Sequence, residues 1–360
     1  MKILLVDLET EWRGGQNQAL LILKALNARG DTAELIAAKG SALGKRAAAR
    51  RVEVHWVPRR TARVSAALKI FQLTQNGLFD VVHANEAHAV TSAWLAGAHR
   101  RAALLISRRV GYPLTKSRLA LARYQSAARI VAISHWVAGQ LTNSGAPKEK
   151  LVIVYEGVDI PVLPTSESRQ RARARWGISD DAPLIGSVGA LLPDKGHELL
   201  IRAVAQLRQE FPECKLLLAG TGPSKPALET LAKELGVADA VILAGFVADI
   251  EVVYQALDVF LFPSFFEGLG TSLLAAMSYE IPAVAFQCCA FAEIIENEKT
   301  GLLVEKGNVY EIAQAVTRLL QDKELAQAIG KAGRQRIAEV FSSERMVAEM
   351  SKVYREVLVG

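Results

Sequence analysis

Two residues in the second half of the chain, Lys195 and Glu267, stand where a charge acts most strongly on a ligand. Lys195 lies in the stretch 187–197, SVGALLPDKGH, after a strand-like apolar run and before the helical-period segment 198–208. Its ammonium is therefore expected at a loop mouth, where it can neutralise a diphosphate. Glu267 lies in 263–272, PSFFEGLGTS, at the end of another strand-like run. A carboxylate among aromatic and glycine residues is poorly placed to be merely solvated, so Glu267 is read as an acceptor for sugar hydroxyls. Gly268, Leu269, Gly270 and Thr271 follow it into a helix.

Other segments add weaker signals. Gly14 and Gly15 separate the first strand-like run from a helical one. That geometry suits a phosphate or a sugar oxyanion, but the missing third glycine rules out a dinucleotide fingerprint. The segment Gly220-Thr221-Gly222-Pro223 likewise closes a strand without a third glycine and allows a nucleotide contact. The stretch 40–46, GSALGKR, is not a phosphate loop, because only three residues separate its glycines and Arg46 stands where a hydroxyl is required. His83 ends a strand-like run. Arg108 and Arg109 are adjacent on an extended segment, so their side chains point opposite ways and one of them is expected to face a ligand.

Elements of a regular kind must position these residues. Strand candidates at 2–6, 33–37, 53–57, 80–83, 104–107, 129–133 and 151–155 alternate with helical-period segments. A second series follows at 184–189, 215–220, 241–243, 258–262, 282–286 and 302–304. Such alternation implies parallel sheets covered on both faces. A chain of 360 residues is long for one core and comfortable for two. The rhythm breaks at 157–168, between Pro161 and Pro164, before an arginine-rich run. The expected architecture is α/β, with two Rossmann-like doubly wound domains facing across a cleft. Residues 1–164 would form an N-terminal acceptor domain and 165–341 a C-terminal donor domain. Residues 342–360 would form an amphipathic helix packing back on the N-terminal domain.

Composition narrows the classes. Hydrophobic residues make up 51% and charged residues 22%, an ordinary globular balance. No apolar run reaches the length of a membrane span and none at the start resembles a signal peptide, so a cytoplasmic protein is expected. Cys214, Cys288 and Cys289 offer neither a disulfide framework nor zinc spacing, and read as reduced thiols. Residues 1–164 hold 23 Lys+Arg against 11 Asp+Glu, whereas the remainder holds 20 against 26. The first half should therefore meet something anionic. Without zinc-finger or RNA-binding motifs, nucleic acid is not expected; a phosphorylated substrate or an anionic membrane surface fits better.

The motifs fall in a recognisable order: Gly14-Gly15; Asp80-Val81-Val82-His83-Ala84; Ala132-Ile133-Ser134; Tyr155-Glu156-Gly157-Val158-Asp159; Gly189 with Lys195-Gly196-His197; Gly220-Thr221-Gly222-Pro223; Gly245-Phe246; Glu267-Gly268-Leu269-Gly270; Ile281-Pro282; and Thr300-Gly301-Leu302-Leu303-Val304. In this order and over nearly its whole length the chain resembles glycosyltransferase family 4, of the two-domain GT-B architecture. The resemblance implies transfer of a sugar from a nucleoside-diphosphate sugar with retention and without a metal or other cofactor. The acceptor would be a saccharide or a lipid-linked molecule of the cell envelope, reached at the cytoplasmic face of the membrane. Gly189, Gly222 and Phe246 would hold the nucleotide, Lys195 the diphosphate, and Glu267 with Gly268, Leu269, Gly270 and Thr271 the sugar and phosphate. Gly14, Gly15 and His83 would close on the reacting sugar, and Arg108 or Arg109 would face the acceptor.

Three positions depart from the family pattern. Ala190 replaces a second phosphate-binding arginine. Ala275 replaces a second carboxylate, eight residues after the first, that commonly binds ribose. The stretch 288–292, CCAFA, replaces a glycine pair and proline and would crowd a loop that approaches the donor. The alternatives are a protein that binds a nucleotide sugar without turning it over and a sugar-nucleotide epimerase of the same architecture.

Overall fold

A computed structural model describes residues 1–114 and 117–359. The chain divides into two compact units, one made of Met1–Gly157 with Ser343–Gly360 and the other of Val158–Ser342. The sequence rhythm suggested a division at 164; in the structure it falls at Gly157.

The first unit is a seven-stranded parallel sheet of β1 Lys2–Asp7, β2 Thr32–Ala38, β3 Val54–Val57, β4 Val81–Ala84, β5 Ala103–Arg108, β6 Arg129–Ala132 and β7 Leu151–Ile153, in the order β3-β2-β1-β4-β5-β6-β7. All of β1 after Lys2 is buried. A continuous apolar run is what a strand needs when helices cover both faces of its sheet. Leu5 sits opposite Leu35 on one side and His83 on the other, so the winding reverses between β1 and β4. Ligands of doubly wound sheets bind at that switch point, beyond the carboxyl ends of the strands.

The last helix, Ser343–Val359, belongs to this unit. Its buried Met346, Val347, Met350, Val353 and Tyr354 join the core made by helix Gly14–Ala28 and strands β1 and β2. Arg29 Nη1 adds a hydrogen bond to Ser351 Oγ at 3.1 Å.

The second unit repeats the plan with β8 Leu184–Val188, β9 Lys215–Ala219, β10 Val241–Gly245, β11 Val259–Phe262, β12 Ala283–Phe286 and β13 Leu302–Val304, all parallel, in the order β10-β9-β8-β11-β12-β13. Its switch point lies between β8 and β11. The arginine-rich run forms helix Ser166–Ala174 and is fastened to this unit through Asp258. Arg169 Nη2 lies 2.5 Å from Asp258 Oδ1, and Arg173 Nη1 lies 3.2 Å from Oδ2. Arg173 is buried because its remaining N–H groups bond carbonyls of Ser179, Ala182 and Ala256. A buried guanidinium is tolerated when its donors are met in this way.

Candidate active site

In the second unit the carboxyl ends of β8 and β11 carry two loops pressed together. Pro193–Lys195 is a short 3-10 turn ending at Gly196, which has φ +66°. A Cβ on Gly196 would stand 2.3 Å from the carbonyl oxygen of Pro263, so only glycine permits the approach. Phe265 N–H donates to Asp194 O at 2.8 Å and ties the loops at a second point. This brings the Lys195 ammonium onto Glu267 Oε1, which also accepts from Ser264 Oγ at 3.2 Å. The two charged side chains keep 19% and 23% of their surface open, so a ligand can reach the pair.

Gly268, Leu269, Gly270 and Thr271 complete that loop and lead into helix Thr271–Ser278. Gly270 has φ +112°, and a Cβ there would meet the Phe262 ring at 2.9 Å. Leu269 is buried. Beside these loops, Gly189 follows β8, and Gly222 lies after β9 with its Cα against the Leu191 carbonyl. Leu191 N–H donates to Thr221 O at 2.9 Å. Phe246 follows β10 and is 76% exposed, an unusual cost for an aromatic ring that nothing in the unit covers.

In the first unit the structure assembles a buried polar network that sequence reasoning missed. Asp7, at the end of β1, accepts from Asn85 Nδ2 at 2.6 Å, Gln16 Nε2 at 3.0 Å and Glu9 N–H at 3.1 Å. Burial nevertheless raises its pKa. Asn85 Oδ1 in turn accepts from Arg109 Nη2 at 2.8 Å, and Arg109 Nη1 lies 2.5 Å from Glu156 Oε1. Arg109 runs along Gly15, where a Cβ would stand 2.9 Å from its Cδ. The arginine pair does diverge: Arg109 lies against Gly15 in the first turn of helix Gly14–Ala28, whereas Arg108 bonds the carbonyl of Tyr112. The available signal was an aspartate ending the central strand with a glutamine just beyond the glycine pair.

His83 lies within the core of the first unit. It is fully buried, its Nδ1 2.7 Å from Tyr354 Oη and its Nε2 2.7 Å from Ser107 Oγ. Burial, with the charge of Arg109, drives its pKa down to about 3. Both ring nitrogens are engaged inside the first unit.

Residues 168–336 match the family described as glycosyl transferases group 1, and residues 12–161 match glycosyltransferase family 4. The GDP-mannose-dependent alpha-(1-6)-phosphatidylinositol monomannoside mannosyltransferase of Mycolicibacterium smegmatis is 32% identical over 275 residues, covering 69% of this chain and 72% of that protein. The chain belongs to glycosyltransferase family 4. The alpha-D-kanosaminyltransferase of Streptomyces kanamyceticus is 32% identical to the transferase over 195 residues, 54% of this chain and half the length of that enzyme. Anabaena HepE in complex with UDP-glucose superposes with a TM-score of 0.88 at 21% identity, covering 99% of this chain and 100% of the other. The fold is therefore GT-B.

The positions where the transferase departs from its family lie around the same loops. Ala190 is exposed, and Ala275 is half-buried on helix Thr271–Ser278. Cys288 Sγ lies 3.8 Å from Ser264 O and Cys289 Sγ 3.6 Å from Phe265 O, so both thiols abut the loop that carries Glu267. Among the described residues, Glu9, Glu86 and His88 of the first unit could offer ligands to a metal ion. The Glu86 carboxylate is already taken up by the N–H groups of Leu8, His88 and Ala89, and burial raises its pKa to about 7.

Proposed function

We propose that the transferase binds a nucleoside-diphosphate sugar on the second unit and passes the sugar, with retention and without a metal, to a saccharide or lipid-linked acceptor of the cell envelope. The contact between Lys195 and Glu267 at the abutting ends of β8 and β11 carries this reading. Breaking the sugar–phosphate bond leaves a negative charge on the departing diphosphate. A fixed ammonium and the first N–H groups of helix Thr271–Ser278 stabilise that charge as it develops. Glu267, released from part of its bond to Lys195, accepts hydrogen bonds from sugar hydroxyls. Phe246 offers a face on which a base can stack. Anabaena HepE, which shares the fold, binds UDP-glucose. On the first unit, Arg109, whose side chain runs along Gly15 at the start of helix Gly14–Ala28, is proposed to face the acceptor side.

A membrane-bound acceptor is supported by helix Ala62–Thr74, where Val64 and Leu68 are each 61% exposed and Phe71 is 42% exposed. These three lie on one face at helical spacing, with Arg59, Arg60, Arg63 and Lys69 around them. Among the described residues no helix is long and apolar enough to cross a membrane, so the proposal is a peripheral contact with anionic lipid. Calorimetric titration with a panel of nucleoside diphosphates and their sugars, followed by product analysis with the ligand that binds, tests the donor reading. A protein that binds none of them, or whose Lys195→Ala variant binds equally well, would overturn it.

A further inference from the structure

Beyond the donor loops themselves, the neighbouring cysteine pair forms a site of its own. Cys288 and Cys289 occupy the bend between β12 and helix Phe291–Ile294, and both are half-exposed. Cys289 has φ +55°, a left-handed conformation that a side chain adopts at a cost. The bend turns both sulfurs onto the loop carrying Glu267, where Cys288 Sγ donates to the Ser264 carbonyl and Cys289 Sγ to the Phe265 carbonyl. We propose that Cys288 and Cys289 are a thiol modification site, oxidised by low-molecular-weight disulfides, that shuts the donor loop. The inference rests on the donor reading of that loop.

The chemistry is thiol–disulfide exchange. The Cys288 side chain beside it, with Glu267 N–H and Lys306, holds the Cys289 thiol below the usual cysteine range, while Cys288 is pushed up. The Cys289 thiolate attacks one sulfur of the disulfide, whose S–S bond breaks and expels a thiolate that takes up a proton. Cys288 then gives its proton to water and attacks the Cys289 sulfur, releasing the second thiol. Two protein thiols are oxidised and one disulfide is reduced. The new ring has no S–H to give the carbonyls of Ser264 and Phe265, so the loop carrying Glu267 loses both of these contacts. Cys214 is fully buried with a thiol pushed up to about 12, and serves as the internal control.

The test treats the full chain with oxidised glutathione at pH 7 and follows intact mass, peptide maps and donor titration. Wild type should lose two hydrogens at Cys288 and Cys289 and bind donor about tenfold or more weakly, with recovery in dithiothreitol. Cys288→Ser should stop at the mixed disulfide, and Cys289→Ser should not react, with both melting like wild type. Reaction at Cys214 alone, or unaltered donor binding by the oxidised protein, would overturn the proposal. A reduced protein that binds no donor would instead remove the donor reading and the loop closure with it, while exchange at Cys289 would still be decided by mass.

Discussion

His83 Nδ1 lies 2.7 Å from the hydroxyl of Tyr354, and this contact fastens the last helix of the chain to the strand beside the switch point of the first sheet. The residues are 271 positions apart, their rings meet edge to face, and both are completely buried. Ser107 Oγ engages the other nitrogen, and burial, which lowers the pKa of the ring, keeps it neutral.

Tyr354→Phe should therefore cost about 1–3 kcal/mol, the penalty of a buried polar atom left without its partner. The loss is read from urea unfolding. Acid should act through the same ring. The folded pKa of about 3 lies below the ordinary 6.5, so the stabilisation is present above pH 6.5 and lost as pH falls towards 3. Glu86, raised to about 7, works oppositely: its contribution is full below 4.5 and is lost as pH rises through 7. Replacing His83 with Asn should flatten the acid limb between pH 6.5 and 4 while leaving the Glu86 contribution. Equal slopes in both proteins would exclude His83 as the source.

Lys195→Ala should lower turnover by about 10²-fold or more at saturating donor, the scale for removing one preorganised electrostatic group. Glu267 keeps Ser264 as a partner, so the fold should survive. Unchanged turnover would take Lys195 out of the mechanism.

The two doubly wound sheets were legible because each strand announces itself as a short apolar run between helical segments, and the placement of Lys195 and Glu267 beyond strand ends because glycine-rich turns flank them. The role of His83 was not. Every residue of β4 is buried, so no alternation tells which side chains point towards a ligand and which into the core. The network from Asp7 through Asn85 and Arg109 to Glu156 was equally hidden. It joins residues 78, 24 and 47 positions apart, and only the sheet order makes them neighbours. The apolar stripe of the last helix could be read at helical spacing; the surface under it depended on how the first unit folds.

Gly196→Ala tests whether loop contact sets the donor site. The substitution forces a left-handed alanine and places its Cβ 2.3 Å from a backbone oxygen, which cannot move aside as a side chain would. A destabilisation of about 1–3 kcal/mol is expected from the backbone alone. Donor affinity should fall with it. A variant that melts normally yet loses donor binding would place the effect in loop separation; normal values of both would show the contact to be dispensable.

Leu68→Glu should abolish recovery of the protein with anionic liposomes without changing its melting temperature, because Leu68 is mostly exposed and faces no core. Neutral liposomes and physiological salt should weaken recovery of wild type, since the basic residues act through screened charge. Equal recovery from anionic and neutral vesicles would sink the membrane contact.

Ala275 decides how far the donor contacts of the family extend to this pocket. It lies in the middle of helix Thr271–Ser278 and is only half-buried, so a longer side chain there has one route to solvent. If a ribose lies where the family's second carboxylate would bind it, Ala275→Glu should tighten nucleoside-diphosphate binding by about 1–3 kcal/mol, the range for hydrogen bonds to a charged partner. If neighbouring groups have instead filled that space, the carboxylate is buried without a partner and destabilises the fold. Titration calorimetry and melting curves of both proteins separate these outcomes. Tighter binding with an intact melt places the ribose along this helix. Weaker binding with a lowered melt would mean that the cavity has closed over Ala275, and that the nucleotide is held chiefly through Lys195, Gly222 and Phe246.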